Sequence, residues 1–187
     1  MKPGTAWVGL GANLGDPLAS LARAVRLMRR MPSTRVTGVS PVFRTSPVGV
    51  RRQPWFHNAA ARVSTRLGPG ALIRRLLAVE RKIGRRRSSR SHGDPRVIDL
   101  DLLLLGECVY DSGGPKRDPA VVIPHPRLHL RRFAMRPIVA LDSGVRHPVF
   151  GLPLRRILTS VPRGQRVRVL PPRDQRRFRR LLAGRSA

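Results

Sequence analysis

Residues 95–105 read Pro-Arg-Val-Ile-Asp-Leu-Asp-Leu-Leu-Leu-Leu and predict a β-strand around which the fold is organised. Successive side chains of a strand point to opposite faces, so Asp99 and Asp101 should share one face. The other face then carries Ile98, Leu100, Leu102 and Leu104. We expect this apolar face to pack against a core, while the two carboxylates stay together on the opposite side.

The carboxylate pair predicts a metal site. The two Cα atoms are roughly 6 to 7 Å apart, and carboxylates at this spacing repel each other unless a cation lies between them. Mg²⁺ is usually held by one or two carboxylates together with substrate phosphates. Arg96 lies three residues before Asp99, where a guanidinium would grip a phosphate oxygen. The alternative is a solvated strand face whose acids only keep an edge soluble.

The chain is strongly basic, with a formal charge of +28 from 38 basic and 10 acidic residues. Lysine occupies only three positions, so arginine supplies 35 of the basic residues. Such a charge attracts nucleic acid, anionic membranes or phosphorylated small molecules. Alternatively, a compositional bias of the genome would produce the same excess of arginine. Non-specific affinity for nucleic acid is therefore an expectation from charge alone.

Length and cysteine content indicate a single domain in a reducing compartment. The 187 residues, of which 41% are hydrophobic, suffice for one core. The lone cysteine, Cys108, excludes a disulfide within the chain. No apolar run reaches the ~18 to 20 residues of a membrane span, and the first residues lack a signal-peptide pattern. We expect a cytoplasmic monomer without membrane contact.

Hydrophobic periodicity predicts an α+β fold. The strands are expected at about 6–10, 34–45, 56–65 and 98–105, and the helices at about 17–31, 71–83, 128–141 and 154–161. A hairpin should turn at Gly106 and return along 108–110. The order strand, helix, strand, strand, helix, strand is that of a ferredoxin-like sandwich, an antiparallel sheet with helices packed on it. RNA-binding modules and enzymes share this fold, so it does not decide the function.

The C-terminal residues differ in composition from the rest of the chain. We assign residues 1–162 to the folded domain and residues 163–187 to an arginine-rich tail. Residues 176–180 are too charged to bury, which predicts a peripheral or disordered segment. It is interpreted either as a solvated arm or as a weak anion-binding arm.

Several separated stretches resemble those of one family. They are residues 9–17 (Gly-Leu-Gly-Ala-Asn-Leu-Gly-Asp-Pro), 43–49 (Phe-Arg-Thr-Ser-Pro-Val-Gly), 53–60 (Gln-Pro-Trp-Phe-His-Asn-Ala-Ala), 80–85, 95–103 and 123–128 (Ile-Pro-His-Pro-Arg-Leu), with Arg131 and Phe133. In this order and spacing, over about residues 6–142, the chain resembles the 6-hydroxymethyl-7,8-dihydropterin pyrophosphokinases of folate biosynthesis. The tail lies outside the resemblance.

The resemblance implies transfer of the β,γ-pyrophosphoryl group of ATP to the pterin hydroxymethyl oxygen, giving the pterin diphosphate and AMP. Asp99 and Asp101 then hold two Mg²⁺ ions at the triphosphate. Arg85 and Arg96 match catalytic arginines of the family, and such a transfer needs no dedicated base. The implied ATP contacts are Glu80, Arg87, Arg96, Leu102, His125 and Arg131. The chain contains 35 arginines, so the alternative for any single one is that it has no specific role at its position.

For the pterin ring, the resemblance implies an aromatic slot with a carboxamide at the ring edge. Phe56 and Phe133 match the aromatic residues, and Asn58 matches the amide, which both donates and accepts hydrogen bonds. Thr45, Ser46 and Val48 match the residues in the wall of the family's pocket whose backbone groups bind the ring. Core packing is the alternative for either phenylalanine. Asn58 lacks this alternative because it interrupts an apolar strand.

One departure from the family pattern precedes the acidic strand. The family has an aromatic residue, Gly or Ala, and then Pro-Arg, whereas residues 92–96 here read His-Gly-Asp-Pro-Arg. Either Asp94 replaces the small residue, or one residue is inserted and His92 stands in the aromatic position. The segment from Arg85 to Pro95 is also one residue longer than usual. We therefore expect altered closure of this loop and slower turnover.

Two other functions share parts of this pattern. A ferredoxin-like RNA-binding protein would fit the charge, but the aromatic-rich strand motif is missing and the aspartates repel phosphate without a metal. A nucleotidyltransferase also pairs aspartates, but it would be expected to show a glycine-serine loop and a third acid, and neither is evident. The convergence of motifs favours the pyrophosphokinase.

Overall fold

The computed structural model describes residues 3–47, 53–85, 94–113, 120–162 and 164–184. The strands in these ranges are β1 (Gly4–Ala12), β2 (Thr34–Val39), β3 (Phe43–Thr45), β4 (Phe56–Thr65), β5 (Asp99–Leu105), β6 (Tyr110–Asp111), β7 (Val122–Ile123) and β8 (Val167–Val169). The helices are α1 (Pro17–Met28), α2 (Pro69–Ile83), α3 (Arg132–Leu141), α4 (Leu154–Ser160) and α5 (Pro172–Leu182).

Six strands form one antiparallel sheet in the order β5-β1-β4-β3-β8, and β2 pairs with the second half of β4. The predicted strand at 34–45 is split into β2 and β3, which pair with opposite halves of β4. Pro41 lies at this break and has no N–H to donate to a ladder. Strand order and connections confirm the ferredoxin-like α+β fold.

Helices cover both faces of the sheet. The face carrying Val8, Leu10 and Leu102 is covered by α1 and α2, and the face carrying Trp7 and Ala60 is covered by α3 and α4. Each large apolar side chain buried in these layers contributes roughly 1.5 to 3 kcal/mol. None of the helices in the described ranges combines the length and the apolar character needed to cross a bilayer.

The ends of α1 and α2 follow local signals in the sequence. Asp16 caps α1, since its Oδ1 accepts a hydrogen bond from the N–H of Ala19 at 3.1 Å, and Pro17 occupies the first helical position. Gly84, with φ of 108°, ends α2 in the left-handed conformation that favours glycine. This turn directs Arg85 towards β5.

Two predictions about the end of the acidic strand are wrong. Leu103 is the extra residue of a β-bulge opposite Trp7 and Val8, so the alternation of side chains slips by one position. Leu104 therefore packs with Trp7 on the α3/α4 face, not with Leu100 on the other face. The expected hairpin also fails to form, because the strand after Gly106, β6, pairs with β7 and not with β5.

The interpretation of the tail as a peripheral arm is wrong for residues 164–184, which we call the C-terminal extension. Its strand β8 pairs with β3 and widens the sheet, and its helix α5 packs beside α1. Phe178 is only 2% exposed and belongs to the core, while the arginines at 173, 176, 179 and 180 face solvent. Charge and burial coexist because they occupy opposite sides of one helix.

Candidate active site

The site is built over the two glycines of β1, Gly9 and Gly11, which we call the glycine floor. Gly9 pairs with Asp101 and Gly11 with Asp99 on β5, and Gly11 also pairs with Asn58 on β4. A Cβ added to Gly11 would lie 2.9 Å from Oδ1 of Asn58, and one added to Gly9 would lie 3.0 Å from Leu103. A Cβ at either position would press against these side chains, so glycine lets Asp99, Asp101 and Asn58 lie close on either side of β1.

Two arginines hold the carboxylate of Asp99. Nη1 of Arg96 donates to Oδ2 at 2.6 Å, and Nη1 of Arg85 donates to Oδ1. Burial opposes the ionisation of Asp99, but the two guanidinium groups outweigh it and hold the pKa of this carboxyl below its usual value. Asp99 is therefore an anion at neutral pH.

Asp101 is held less firmly than Asp99. Its Oδ2 lies 3.4 Å from Nη1 of Arg131, and 33% of its side chain is exposed. Burial and the neighbouring Asp99 carboxylate raise the pKa of Asp101 to about 6. The two predicted metal ligands thus share one face, and within the described residues Asp101 has a weaker pairing with arginine than Asp99 has.

Glu80 lies beneath this pair on α2, with a side chain only 2% exposed. Its Oε1 accepts hydrogen bonds from Nη1 of Arg85 at 2.6 Å and from the N–H of Leu100 at 2.7 Å. These bonds tie α2 to the acidic strand and fix the direction of the Arg85 guanidinium. The predicted contact of Glu80 with ATP stays a prediction.

His125 and Arg131 lie beside Asp101. The N–H of His125 donates to the carbonyl of Leu103 at 2.9 Å, which anchors the histidine to β5. Its Nε2 is 3.2 Å from Nη1 of Arg131. Burial, together with the charges of Arg131 and Arg127, lowers the pKa of His125 to about 4, so the imidazole is neutral at pH 7.

The residues predicted to bind the pterin lie on the other side of the glycine floor. Nδ2 of Asn58 donates to Oγ1 of Thr45 at 2.7 Å, and both side chains are buried. Phe56 is half-buried, with the guanidinium carbon of Arg96 5.7 Å from its ring centroid. Phe133 on α3 is also half-buried, and Arg131 is 5.5 Å from its ring. Each ring therefore lies against an arginine of the acidic side.

The family model described as 7,8-dihydro-6-hydroxymethylpterin-pyrophosphokinase (HPPK) matches residues 7–143. The chain belongs to this family. The match spans both halves of the site, from β1 with its glycine floor through β5 to α3. The predicted family is thereby confirmed, while β8 and α5 lie beyond the matched residues.

Curated relatives agree with this assignment. The chain is 36% identical over 142 residues to the 2-amino-4-hydroxy-6-hydroxymethyldihydropteridine pyrophosphokinase of Pseudomonas aeruginosa, covering 76% of this chain and 83% of that protein. It is 32% identical over 173 residues to the folic acid synthesis protein fol1 of Schizosaccharomyces pombe, covering 92% of this chain but only 22% of that longer protein. The crystal structure of HPPK-DHPS from Plasmodium falciparum has the same fold, with a TM-score of 0.68, 12% identity, and coverage of 85% of this chain and 45% of that one.

Some residues that the HPPK resemblance implied are placed differently or fall outside the described ranges. The side chain of Leu102 is 4% exposed and packs in the core under α1 and α2, which leaves only its main chain for ATP. Ser46 is half-buried and bonded to the C-terminal extension. Arg87, Val48 and His92 lie outside the described residues, so their predicted roles and the expected change in loop closure stay predictions.

Sequence reasoning missed Asn13, which joins the two halves of the HPPK site. The side chain is 5% exposed, and its Oδ1 accepts a hydrogen bond from the N–H of Arg96 at 2.7 Å. Its Nδ2 donates to Gln53 at 3.2 Å and to the carbonyl of Pro54 at 3.1 Å. Asn13 lies in the stretch 9–17 that carries the family resemblance, but the resemblance was not used to assign it a role.

The protein offers two carboxylates to a metal. Within the described ranges, no group of three or more His, Cys, Asp or Glu residues forms a metal cage. Two carboxylates on one face, one of them with a raised pKa, nevertheless fit a divalent cation whose remaining ligands are phosphate oxygens and water. The residues thus match the donor set that Mg²⁺ uses with nucleotides.

Proposed function

We propose that this chain transfers the β,γ-pyrophosphoryl group of ATP to the hydroxymethyl oxygen of 6-hydroxymethyl-7,8-dihydropterin, giving the pterin diphosphate and AMP. This reaction makes it a transferase of folate biosynthesis. The observation that carries the proposal is the glycine floor, which joins the Asn58 side to the Asp99 and Asp101 side within the residues matched by the family. The floor gives a flat ring and a triphosphate adjacent binding surfaces.

The acidic side binds the triphosphate. Arg85 and Arg96 now pair with Asp99, and in the complex their remaining N–H groups bind phosphate oxygens. Asp99 and Asp101 hold two Mg²⁺ ions, which neutralise charge on the triphosphate when bound. Phosphoryl transfer depends mainly on positioning and electrostatic stabilisation. Asp99, Arg85 and Arg96 are already fixed by one another, and Arg85 also by Glu80.

His125 and Arg131 complete the nucleotide side. The neutral imidazole of His125 offers a hydrogen bond without adding charge, and Arg131 supplies a cation beside Asp101. Glu80 and the main chain of Leu102 complete the proposed ATP contacts, with Arg87 as a further prediction.

The pterin lies between Phe56 and Phe133, with its polar edge at Asn58. The hydrogen bond from Nδ2 of Asn58 to Thr45 fixes the amide, with Oδ1 directed over Gly11. An amide fixed in this way discriminates between donors and acceptors on a ring edge, because a mismatched partner leaves a buried polar group unsatisfied. Ser46 and Val48 complete the proposed wall.

The test is AMP formation from ATP and Mg²⁺ with and without added 6-hydroxymethyl-7,8-dihydropterin. The wild-type protein should release AMP only with the pterin, and Asp99→Asn should reduce turnover at least about 100-fold, since a metal ligand is lost. Glu107→Gln removes one exposed carboxylate outside the site and should behave as wild type. AMP release that does not need the pterin would contradict the proposal. The monomeric state, the cytoplasmic location and the affinity for nucleic acid stay predictions.

A further inference from the structure

The C-terminal extension reaches the proposed pterin side at two places. The main chain of Arg166 bonds Ser46 twice: its N–H donates to Oγ at 3.0 Å, and its carbonyl accepts from the N–H of Ser46 at 3.0 Å. Oε1 of Gln165 accepts a hydrogen bond from the N–H of Phe133 at 3.1 Å. Adjacent residues of the extension thus hold two residues assigned to the pterin.

Gln165 satisfies a backbone donor that α3 cannot satisfy itself. Phe133 is the second residue of α3, and the first N–H groups of a helix have no partner within it. The residue at the N-cap is Arg131, whose side chain makes no capping bond to this helix. The amide of Gln165 therefore caps α3 from outside, at the turn that carries the Phe133 ring.

The extension is itself firmly anchored, so this cap has a fixed position. The side chain of Gln175 accepts from the N–H of Val42 at 3.1 Å and donates to its carbonyl at 2.8 Å. Phe178 is buried in the core, and Arg177 forms an ion pair with Asp16 at the start of α1. β8 pairs with β3 along its whole length, from Phe43 to Thr45.

We propose that Gln165 is a positioning residue for the pterin site, which sets the first turn of α3 and hence the Phe133 ring. The inference rests on the proposed function, because it assigns Phe133 to the pterin. It goes beyond the family assignment, since Gln165 lies outside the matched residues 7–143. Gln165 makes no such bond to the nucleotide side among the described residues, but Arg131, assigned to ATP, is the N-cap of the same helix. The effect should therefore be larger for the pterin than for ATP.

The experiment compares three variants of the full chain. Gln165→Leu keeps the size of the side chain and removes the acceptor, while Gln165→Glu keeps an acceptor that a helix N-terminus favours. Arg173→Ala alters a side chain of the same extension that is 82% exposed, and it serves as the control. Steady-state kinetics are measured for each substrate, together with amide hydrogen exchange at Phe133.

Gln165→Leu should raise the KM for the pterin by up to about fivefold, the factor that corresponds to the free energy of one hydrogen bond. The KM for ATP should rise less, with kcat nearly unchanged. Exchange at the Phe133 amide should accelerate, and Gln165→Glu and Arg173→Ala should match wild type. An unchanged pterin KM in Gln165→Leu, or an equal rise for ATP and pterin, would overturn the positioning role. Absence of pterin-dependent AMP release in wild type would instead overturn the proposed function, and the positioning role with it.

Discussion

Replacing Asp101 by Asn should stabilise the ligand-free protein while it destroys activity. Asp101 lies one pleat from the ionised Asp99, and the ion pair that it makes within the described residues is a long one, to Arg131 at 3.4 Å. Its pKa of about 6 means that the folded protein opposes the charge that catalysis needs. Asn has the same shape and carries no charge, so it removes the repulsion and also removes a ligand of the metal.

The sign and size of the effect follow from proton linkage. The carboxyl of Asp101 has a pKa of about 6 in the folded protein and 3.8 as its ordinary value, so the folded state binds more protons between pH 4 and 6. Stability is therefore lost as the pH rises through this window, and the loss persists above it. The full displacement of the pKa corresponds to about 3 kcal/mol. Solvent screens a side chain that is one-third exposed, so we expect a gain of about 1 to 2 kcal/mol for Asp101→Asn at pH 8.

Urea unfolding of wild type and Asp101→Asn at pH 8 and pH 4 checks this expectation. The variant should be more stable at pH 8, and its advantage should shrink towards pH 4, where the wild-type carboxyl is protonated in the folded state. Glu107→Gln provides the control for removing a carboxylate outside the site. If the variant were less stable than wild type at pH 8, or if its gain in stability did not depend on pH, the carboxylate of Asp101 would not be destabilised by burial and by repulsion from Asp99.

Three further predictions concern the pterin side and the C-terminal extension. Asn58→Ala should weaken pterin binding by about 1 to 3 kcal/mol, because the polar edge of the ring loses the amide that Thr45 holds in place. ATP binding should not change, and calorimetry with each ligand measures both affinities. Removal of residues 164–187 should lower the thermal midpoint strongly, since it deletes β8 and the helix α5 with its buried Phe178, and a truncated protein with wild-type stability would contradict the fold. Arg177→Ala should cost at most about 1 kcal/mol at pH 7, because its partner Asp16 is largely solvated; the loss should vanish as the pH falls through the depressed pKa of Asp16, which pH-dependent unfolding measures.

The carboxylate pair could be predicted from the sequence because strand periodicity is local. Asp99 and Asp101 are two residues apart, and no packing partner is needed to place them on one face. The bulge at Leu103 had no such signal, because residues 102–105 are all leucine and carry no alternation from which a slip could be read. The face of Leu104 was therefore assigned wrongly.

The C-terminal extension was misjudged because its charge obscured its pattern. Phe178, Leu181 and Leu182 recur at three- and four-residue spacing and give an apolar stripe among the arginines. Periodicity would have predicted α5, whereas net charge predicted a solvated arm. The cap made by Gln165 was beyond sequence reasoning, since its partner Phe133 is 32 residues away and the contact exists only after β8 joins β3.

The glycine floor could be predicted from the sequence only in part. Gly9 and Gly11 alternate with the same period as the aspartates, but their pairing with Asp99, Asp101 and Asn58 depends on the strand order of the sheet. Family resemblance identified the flanking residues, and the structure shows that a side chain at Gly9 or Gly11 would press against Leu103 or Asn58.

The most direct test of the proposed reaction follows the three phosphorus atoms of ATP separately. ATP labelled at the α, β or γ position is incubated with the protein, Mg²⁺ and 6-hydroxymethyl-7,8-dihydropterin, and the label is located in the separated products. Transfer of a pyrophosphoryl group predicts that the β and γ labels both appear in the pterin product while the α label stays in AMP. Transfer of the γ label alone, with ADP as the other product, or of the α label to the pterin, with release of pyrophosphate, would contradict the proposed function.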